Sequence, residues 1–260
     1  MHMIWDKKTA RTLALAAAMT MAGAALAPQA AQAESIVVRA SGPSAKDFSP
    51  GKKLADNISI TLKAGDIVTL LDGRGTRTLR GPGTFGSTAT LAGTDTRNRL
   101  DDLFKTRTER RARTGAVRGT IPEPTSAPRS PNIWYVDISQ ASTACVPDPD
   151  NVKIWRPSTA EAADVTITPS AGGASGKVHF DAGQSVAWWP EELPIDEGAH
   201  YALSWAGLTK PVQIGFSLMA PGSEGLENMA AALISRKCDA QLDLLVETVA
   251  LPDPAPDVGG

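Results

Sequence analysis

The fold class is set by a short run of alternating residues in the first third of the chain. Residues 58–80 read ISITLKAGDIVTLLDGRGTRTLR. Ile58 to Leu62 alternates apolar and polar residues, the pattern of a strand with one buried face. Ile67 to Leu71 is a second strand, and Asp72-Gly-Arg-Gly75 predicts a hairpin turn because glycine accepts the positive φ that such turns require. Thr76 to Arg80 is then the returning strand of a small β-sheet.

The same turns give this part of the chain a family resemblance. Leu62-Lys-Ala-Gly-Asp-Ile-Val-Thr-Leu70, followed by Gly75-Thr-Arg-Thr-Leu-Arg-Gly-Pro-Gly-Thr-Phe85, resembles the core of FecR-like periplasmic domains. Those are β-rich modules with a Gly-Asp-x-Val turn, a hairpin and a return strand punctuated by Gly and Pro. The resemblance implies a small periplasmic β domain over residues 34–93. Taken whole, the chain resembles exported proteins of alphaproteobacteria, which implies a compartment and a fold but no activity.

The N-terminus has the three parts of a signal peptide. Lys7, Lys8 and Arg11 form a basic region, an uncharged stretch of Ala, Leu and Met follows, and Ala31-Gln-Ala33 presents the small residues that signal peptidase recognises. A membrane anchor is the alternative, but the apolar stretch of roughly 15 residues is shorter than the about 20 that cross a bilayer. We therefore predict that residues 1–33 are cleaved. The mature protein is then periplasmic or secreted and has no transmembrane segment.

Charge and cysteine content narrow the class of protein further. Cleavage removes three basic residues and one acidic residue, which takes the net charge from −2 to −4 and argues against a nucleic-acid partner. The two cysteines, Cys145 and Cys238, are expected to pair in an oxidising compartment, with buried free thiols as the alternative. Closing a loop of roughly 90 residues would stabilise the fold by about 4 kcal/mol through chain entropy.

The middle of the chain, residues 94–131, differs from the β-rich segment before it in composition and in the spacing of its apolar residues. Leu100, Leu103 and Phe104 fall at helical spacing, and a stretch rich in Pro, Ser and Thr follows, so a short basic helix and a linker are predicted. The segment is either solvated or a contact for an anionic surface such as lipid headgroups, lipopolysaccharide or an acidic protein. The arginines that would make this contact are Arg107, Arg110, Arg111 and Arg113.

Residues 132–250 read as a second β unit with two helices at its end. Short strand patterns recur at roughly ten-residue spacing, separated by turn clusters, which predicts an antiparallel β-sandwich. Apolar residues at helical spacing predict a helix over Leu226 to Arg236 and another starting near Asp239, and residues 251–260 read as a disordered tail. The predicted strands are Asn132 to Ile138, Val152 to Trp155, Val165 to Thr168, Lys177 to Phe180, Ser185 to Trp189, His200 to Trp205 and Val212 to Leu218.

No catalytic, metal or cofactor site is predicted. The mature chain has two histidines, His179 and His200, both in predicted strands, and lacks the Gly-x-Ser-x-Gly turn of many hydrolases. Asp148, Asp150 and Asn151 could offer oxygen ligands, but Pro-Asp-Pro-Asp-Asn is also a turn sequence and lacks the other EF-hand positions.

Trp188 and Trp189 mark the most promising ligand surface. Neighbouring strand residues face opposite sides, so one tryptophan should enter the core and the other should meet solvent. Carboxylates follow the pair and could bind sugar hydroxyls or form a solvated loop: Glu191, Glu192, Asp196 and Glu197.

From these features we predict a mainly β, non-enzymatic protein that binds or scaffolds as an accessory to an envelope assembly, with an envelope protein as its partner. A carbohydrate- or cell-wall-binding module is the alternative.

Overall fold

The computed structural model describes residues 35–56, 58–87, 104, 128–220 and 225–251, which belong to one compact unit. The predicted signal peptide, the four arginines of the basic segment and the tail beyond Leu251 lie outside the described residues. Among the helices that are described, none is both long enough and apolar enough to cross a membrane.

The N-terminal part forms two small sheets. Strands β1, β2, β4 and β5 make an antiparallel sheet in the order β2-β1-β4-β5, and β3 pairs with β6. The hairpin predicted from the Asp72 turn is confirmed, since β4 and β5 are joined by Gly73 and Arg74. The strand bounds are β1 Ser35–Ser41, β2 Lys53–Leu54, β3 Ser59–Leu62, β4 Ile67–Asp72, β5 Gly75–Arg80 and β6 Gly83–Gly86.

The C-terminal part confirms the predicted mainly β fold. Two sheets, ordered β11-β10-β13-β14-β8 and β12-β9-β7, contribute side chains to one buried core, including Val136, Ile154, Ile167 and Phe216. The bounds are β7 Tyr135–Asp137, β8 Ser142–Val146, β9 Lys153–Trp155, β10 Ala163–Pro169, β11 Gly176–Phe180, β12 Val186–Trp188, β13 His200–Ser204 and β14 Val212–Leu218.

Strand β8 was not among the predicted strands, and it pairs in parallel with β14. Its sequence starts with Ser142 and Thr143 and ends just before Pro147, so it has no clear alternation to mark it. Strands β7 and β9 also pair in parallel, which departs from the expectation of antiparallel pairing at these two places. Local alternation specifies that a segment is a strand but not which strand lies beside it.

The predicted helical hairpin is confirmed as α1, Leu226–Ser235, and α2, Asp239–Thr248. Cys238 is the N-cap of α2, and Asp239 is the first helical residue, in agreement with a helix that starts near Asp239. The hairpin packs against both β parts, because one buried cluster joins its apolar face to residues of each. From the first part these are Ile36, Val38 and Leu71, and from the second they are Ile133, Cys145 and Met219.

The predicted disulfide is present. Cys145 in β8 and Cys238 before α2 are bonded, their Cα atoms lie 5.8 Å apart, and both side chains are fully buried. The bond therefore anchors the helical hairpin to the edge strand of the five-stranded sheet.

Candidate functional site

Three side chains lie in one row across the three-stranded sheet. Strand register places Lys153 of β9 opposite Trp188 of β12 on one side and opposite Tyr135 of β7 on the other. The Lys153 Nζ atom lies 4.3 Å from the Trp188 ring centroid and 5.8 Å from that of Tyr135. Both separations are within the range of a cation–π interaction. We call this row, Tyr135–Lys153–Trp188, the aromatic row.

The two neighbouring tryptophans separate as predicted. Trp188 is 57% exposed, whereas Trp189 is 7% exposed. The indole Nε1 of Trp189 donates a hydrogen bond to the Leu193 carbonyl at 2.7 Å, and its ring meets Tyr201 and Phe216 edge-on at 4.9 and 5.0 Å. Trp189 is thus a core residue, and Trp188 is the member of the pair that a ligand can reach.

The aromatic row separates two grooves and lines both of them. The smaller, of about 260 Å³, extends towards Trp134 and Asp148. The larger, of about 760 Å³, runs along β12 and reaches β11. Besides the row itself, the charged side chains along the larger groove are those of Lys177, His179 and Glu192.

The lysines of the larger groove are available to a ligand. Neither Lys153 nor Lys177 forms an ion pair with any residue that the structure describes. Lys153 covers part of the Trp188 ring, but most of the Trp188 side chain stays exposed. The site therefore combines an open aromatic surface with two lysines that no described carboxylate pairs with.

His179 is already engaged by acidic neighbours. Its Nδ1 atom lies 2.7 Å from an Asp164 carboxylate oxygen, and its Nε2 atom lies 3.4 Å from Asp181. The hydrogen bond to Asp164, and the charges of both carboxylates, raise the pKa of His179 above its ordinary value. With a carboxylate beside each ring nitrogen, the imidazole is poorly placed to act as a base towards a serine.

His200 has a packing role. A Cβ atom added to Gly215 would lie 2.8 Å from the His200 ring, so glycine is what allows the imidazole to lie against β14.

The carboxylates that follow Trp189 do not act as one group. Glu192 lines the larger groove, but Glu197 turns towards β14 and accepts hydrogen bonds from Ser217 Oγ at 2.9 Å and Leu218 N at 2.6 Å. The Leu218 amide, the Ser217 hydroxyl and nearby Arg236 lower the pKa of Glu197. Glu197 therefore fastens the loop before β13 and has a structural role.

The weak metal candidate forms a turn. Asp148 caps the short 3₁₀ helix Pro149–Asn151, and its carboxylate accepts hydrogen bonds from Asp150 N at 3.2 Å and Asn151 Nδ2 at 2.8 Å. Within the described ranges, no three His, Cys, Asp or Glu side chains are grouped so that they could hold a metal ion.

Sequence reasoning found Trp188 but missed Lys153 and Tyr135. Both belong to predicted strands, at positions whose neighbours Ile154 and Val136 are buried. Alternation could therefore have placed them on an outer face. It could not have placed them beside Trp188, because that depends on the pairing of three strands that are distant in sequence. Arg107, Arg110, Arg111 and Arg113 lie outside the described residues.

Comparison with protein-family models, curated proteins and solved structures finds no match for this chain.

Proposed function

We propose that this is a non-enzymatic periplasmic protein that binds a component of the cell envelope through the aromatic row, as an accessory or scaffolding part of an envelope assembly. The single observation that carries the proposal is the position of Trp188. An indole that is 57% exposed sits on a sheet whose register holds Lys153 and Tyr135 beside it. Exposed aromatic residues beside a cation are typical of recognition surfaces, where tryptophan and tyrosine contribute large contact areas at small entropic cost.

The proposed compartment rests on the predicted signal peptide and on the disulfide. Structural disulfides persist in the periplasm and outside the cell, where thiols are oxidised. The Cys145–Cys238 bond fits that environment. Edman sequencing of the exported protein tests the signal peptide, since processing as proposed makes Glu34 the first residue.

We further propose that the N-terminal β part is a FecR-like module. The supporting feature is the Gly65-Asp66 turn, in which Gly65 has a φ of 86°. The buried Asp66 carboxylate accepts hydrogen bonds from Ser44 N at 2.8 Å and Lys63 N at 2.6 Å. These bonds hold the turn between β3 and β4 and lower the pKa of Asp66.

A binding assay with a matched pair of variants tests the role of the aromatic row. Mature protein is sedimented with washed envelope fragments of an alphaproteobacterium. We expect Trp188→Ala to lower binding by at least about tenfold, the loss that removal of a central aromatic contact causes. Ile58→Ala is the control, because Ile58 is the other large hydrophobic residue that is exposed in the described ranges. Equal binding of Trp188→Ala and wild type would refute the proposed surface.

A carbohydrate ligand is the second candidate, and the openness of Trp188 favours it. A flat aromatic surface stacks against the apolar face of a sugar ring, while neighbouring polar groups bind its hydroxyls. Treating the envelope fragments with protease before the assay separates the two classes of partner. Binding that survives protease and is lost after periodate oxidation identifies a glycan, and binding lost to protease identifies a protein.

A further inference from the structure

We infer that the larger groove beside the aromatic row binds a carboxylate-bearing polysaccharide, with Trp188 stacking on a sugar ring and Lys153 and Lys177 binding its acidic groups. This inference rests on the proposed function and names the ligand class of the same surface. The larger groove has a volume of about 760 Å³, within the roughly 300–1,000 Å³ of typical ligand sites. This volume gives room for a short stretch of sugar rings.

Charge is the first argument for an acidic ligand. Lys153 and Lys177 both line the groove, and neither is neutralised by a carboxylate in the described ranges. Glu192 also lines the groove, and His179 there is engaged by Asp164 and Asp181, so the two lysines outnumber the one remaining carboxylate. The mature chain as a whole is acidic, so this local balance is opposite in sign to the net charge of the protein. Local potential of one sign in a groove raises the concentration of ligands of the opposite sign.

Geometry is the second argument. Lys153 holds its ammonium over one face of the Trp188 ring, 4.3 Å from the centroid. A sugar ring would therefore stack on the other face of the indole, and a substituent that extends past the ring edge would approach that charge. A sugar whose substituent is a carboxylate would form an ion pair there, whereas a neutral sugar would leave the ammonium uncompensated. The side chains therefore favour an acidic sugar over a neutral one.

Tyr135 adds a hydrogen-bond donor at the other end of the row. Partial burial raises the pKa of its phenol, so the hydroxyl keeps its proton at neutral pH. Both lysines are also donors, and they bind as point charges that tolerate several orientations of a carboxylate. Such a site suits a flexible polymer with repeated acidic groups.

The test compares one polymer in two chemical forms. Alginate, a polymer of uronic acids, and its carboxyl-reduced derivative share a sugar backbone but differ in charge. Binding of the mature protein is measured by calorimetry at low and at high salt. We expect at least about tenfold weaker binding to the reduced polymer, and weaker binding to alginate in salt because exposed ion pairs are screened.

Three variants and one matched control assign the effect to the groove. Lys153→Gln and Lys177→Gln should each weaken alginate binding several-fold and make the binding that remains less sensitive to salt. Lys210→Gln is the matched control, because this exposed lysine of the same β part lies outside both grooves. Trp188→Ala should weaken binding of both polymers.

The outcomes distinguish failure of the acidic ligand from failure of the proposed function. Equal binding of both polymers that still depends on Trp188 would overturn the acidic ligand and leave the proposed binding surface intact. Failure to bind either polymer, with Trp188-dependent binding of envelope fragments retained, would also overturn the acidic glycan. If Trp188→Ala binds both alginate and envelope fragments as well as wild type does, the inference and the proposed function fail together.

Discussion

Gln241 is a buried polar residue on the otherwise apolar face of α2. Its side-chain oxygen accepts a hydrogen bond from Cys145 N at 2.6 Å, and its amide nitrogen donates to the carbonyls of Cys145 at 2.8 Å and Ile133 at 2.9 Å. The amide thus satisfies backbone groups at the edge of β8, where none of the described strands pairs. Buried backbone groups without partners are costly, which explains a glutamine at this position.

Replacing Gln241 with leucine should destabilise the fold by about 2–4 kcal/mol, because three buried backbone groups lose their partner. Urea unfolding followed by circular dichroism measures the change in the free energy of unfolding. Gln140→Leu is the control, since Gln140 is exposed, and it should change stability by less than about 0.5 kcal/mol. A Gln241→Leu variant as stable as wild type would show that these contacts carry no net stabilisation.

His179 contributes to stability in a pH-dependent way. Its pKa is raised in the folded state, so its protonated form stabilises the fold fully below the ordinary pKa of 6.5. This contribution is lost as pH rises through the higher folded-state pKa. Because the side chain is exposed, the effect should be small.

Asp164→Asn should move the pKa of His179 back towards 6.5, since the hydrogen bond to Asp164 is the largest cause of the shift. An NMR titration of the histidine ring protons measures the pKa directly. Glu161→Gln removes one exposed carboxylate of the same β part that does not contact His179, and it should leave the pKa unchanged. An unchanged pKa in Asp164→Asn would contradict the assigned cause.

The chain after α2 is joined to the edge of the first sheet. Thr76 N donates to the Val249 carbonyl at 2.9 Å, and Leu251 N donates to the Thr76 carbonyl at 2.7 Å. Gly75 permits this approach, because a Cβ atom there would lie 2.4 Å from the Val249 carbonyl oxygen. The second glycine of the hairpin turn is therefore required for packing as well as for its φ of 142°.

Gly75→Ala should destabilise the protein by about 1–3 kcal/mol, because the methyl group displaces the segment after α2 and the backbone angle becomes strained. Hydrogen exchange should show faster exchange of the Thr76 and Leu251 amides. Gly86→Ala is the control, since its added Cβ atom would meet nothing within 4 Å. Unchanged protection of both amides in Gly75→Ala would refute the packing role.

The helical hairpin and the disulfide join the parts of the protein into one unit. The buried cluster around α1 and α2 includes residues from β1, β4 and β8, so it joins both β parts to the helices. The Cys145–Cys238 bond closes a separation of 93 residues, and thereby ties the hairpin to the second β part in the unfolded chain as well.

Removing the disulfide with Cys145→Ala and Cys238→Ala should lower the free energy of unfolding by about 4 kcal/mol, through the greater entropy of the unfolded chain. Chemical denaturation of the variant and of wild type measures the difference. Adding a reductant should destabilise wild type but leave the variant unchanged. Mass measurement of non-reduced, alkylated wild type that revealed two free thiols would contradict the bond itself.

Local patterns were sufficient for much of the fold. Alternation in residues 58–62 indicated one strand, and the short run 67–71 between two turns indicated another. The Asp72 turn indicated the β-hairpin, and apolar spacing indicated both helices. The two-residue period of a strand predicted that one of Trp188 and Trp189 is exposed and the other is buried. The cysteine pairing followed from their number and the expected compartment, and the structure contains it.

Other features depend on contacts between distant segments, and no local pattern encodes those. The parallel position of β8, the amide of Gln241 at its edge, and the packing of the hairpin against both β parts are of this kind. The same holds for the aromatic row. Trp188 was recognisable as an exposed aromatic residue from its sequence, but Lys153 and Tyr135 become its neighbours only when β12, β9 and β7 pair in this register. The periodicity of residue types indicates which side of a strand is buried. A binding surface also depends on which strands lie side by side, and long-range packing determines the order of the strands.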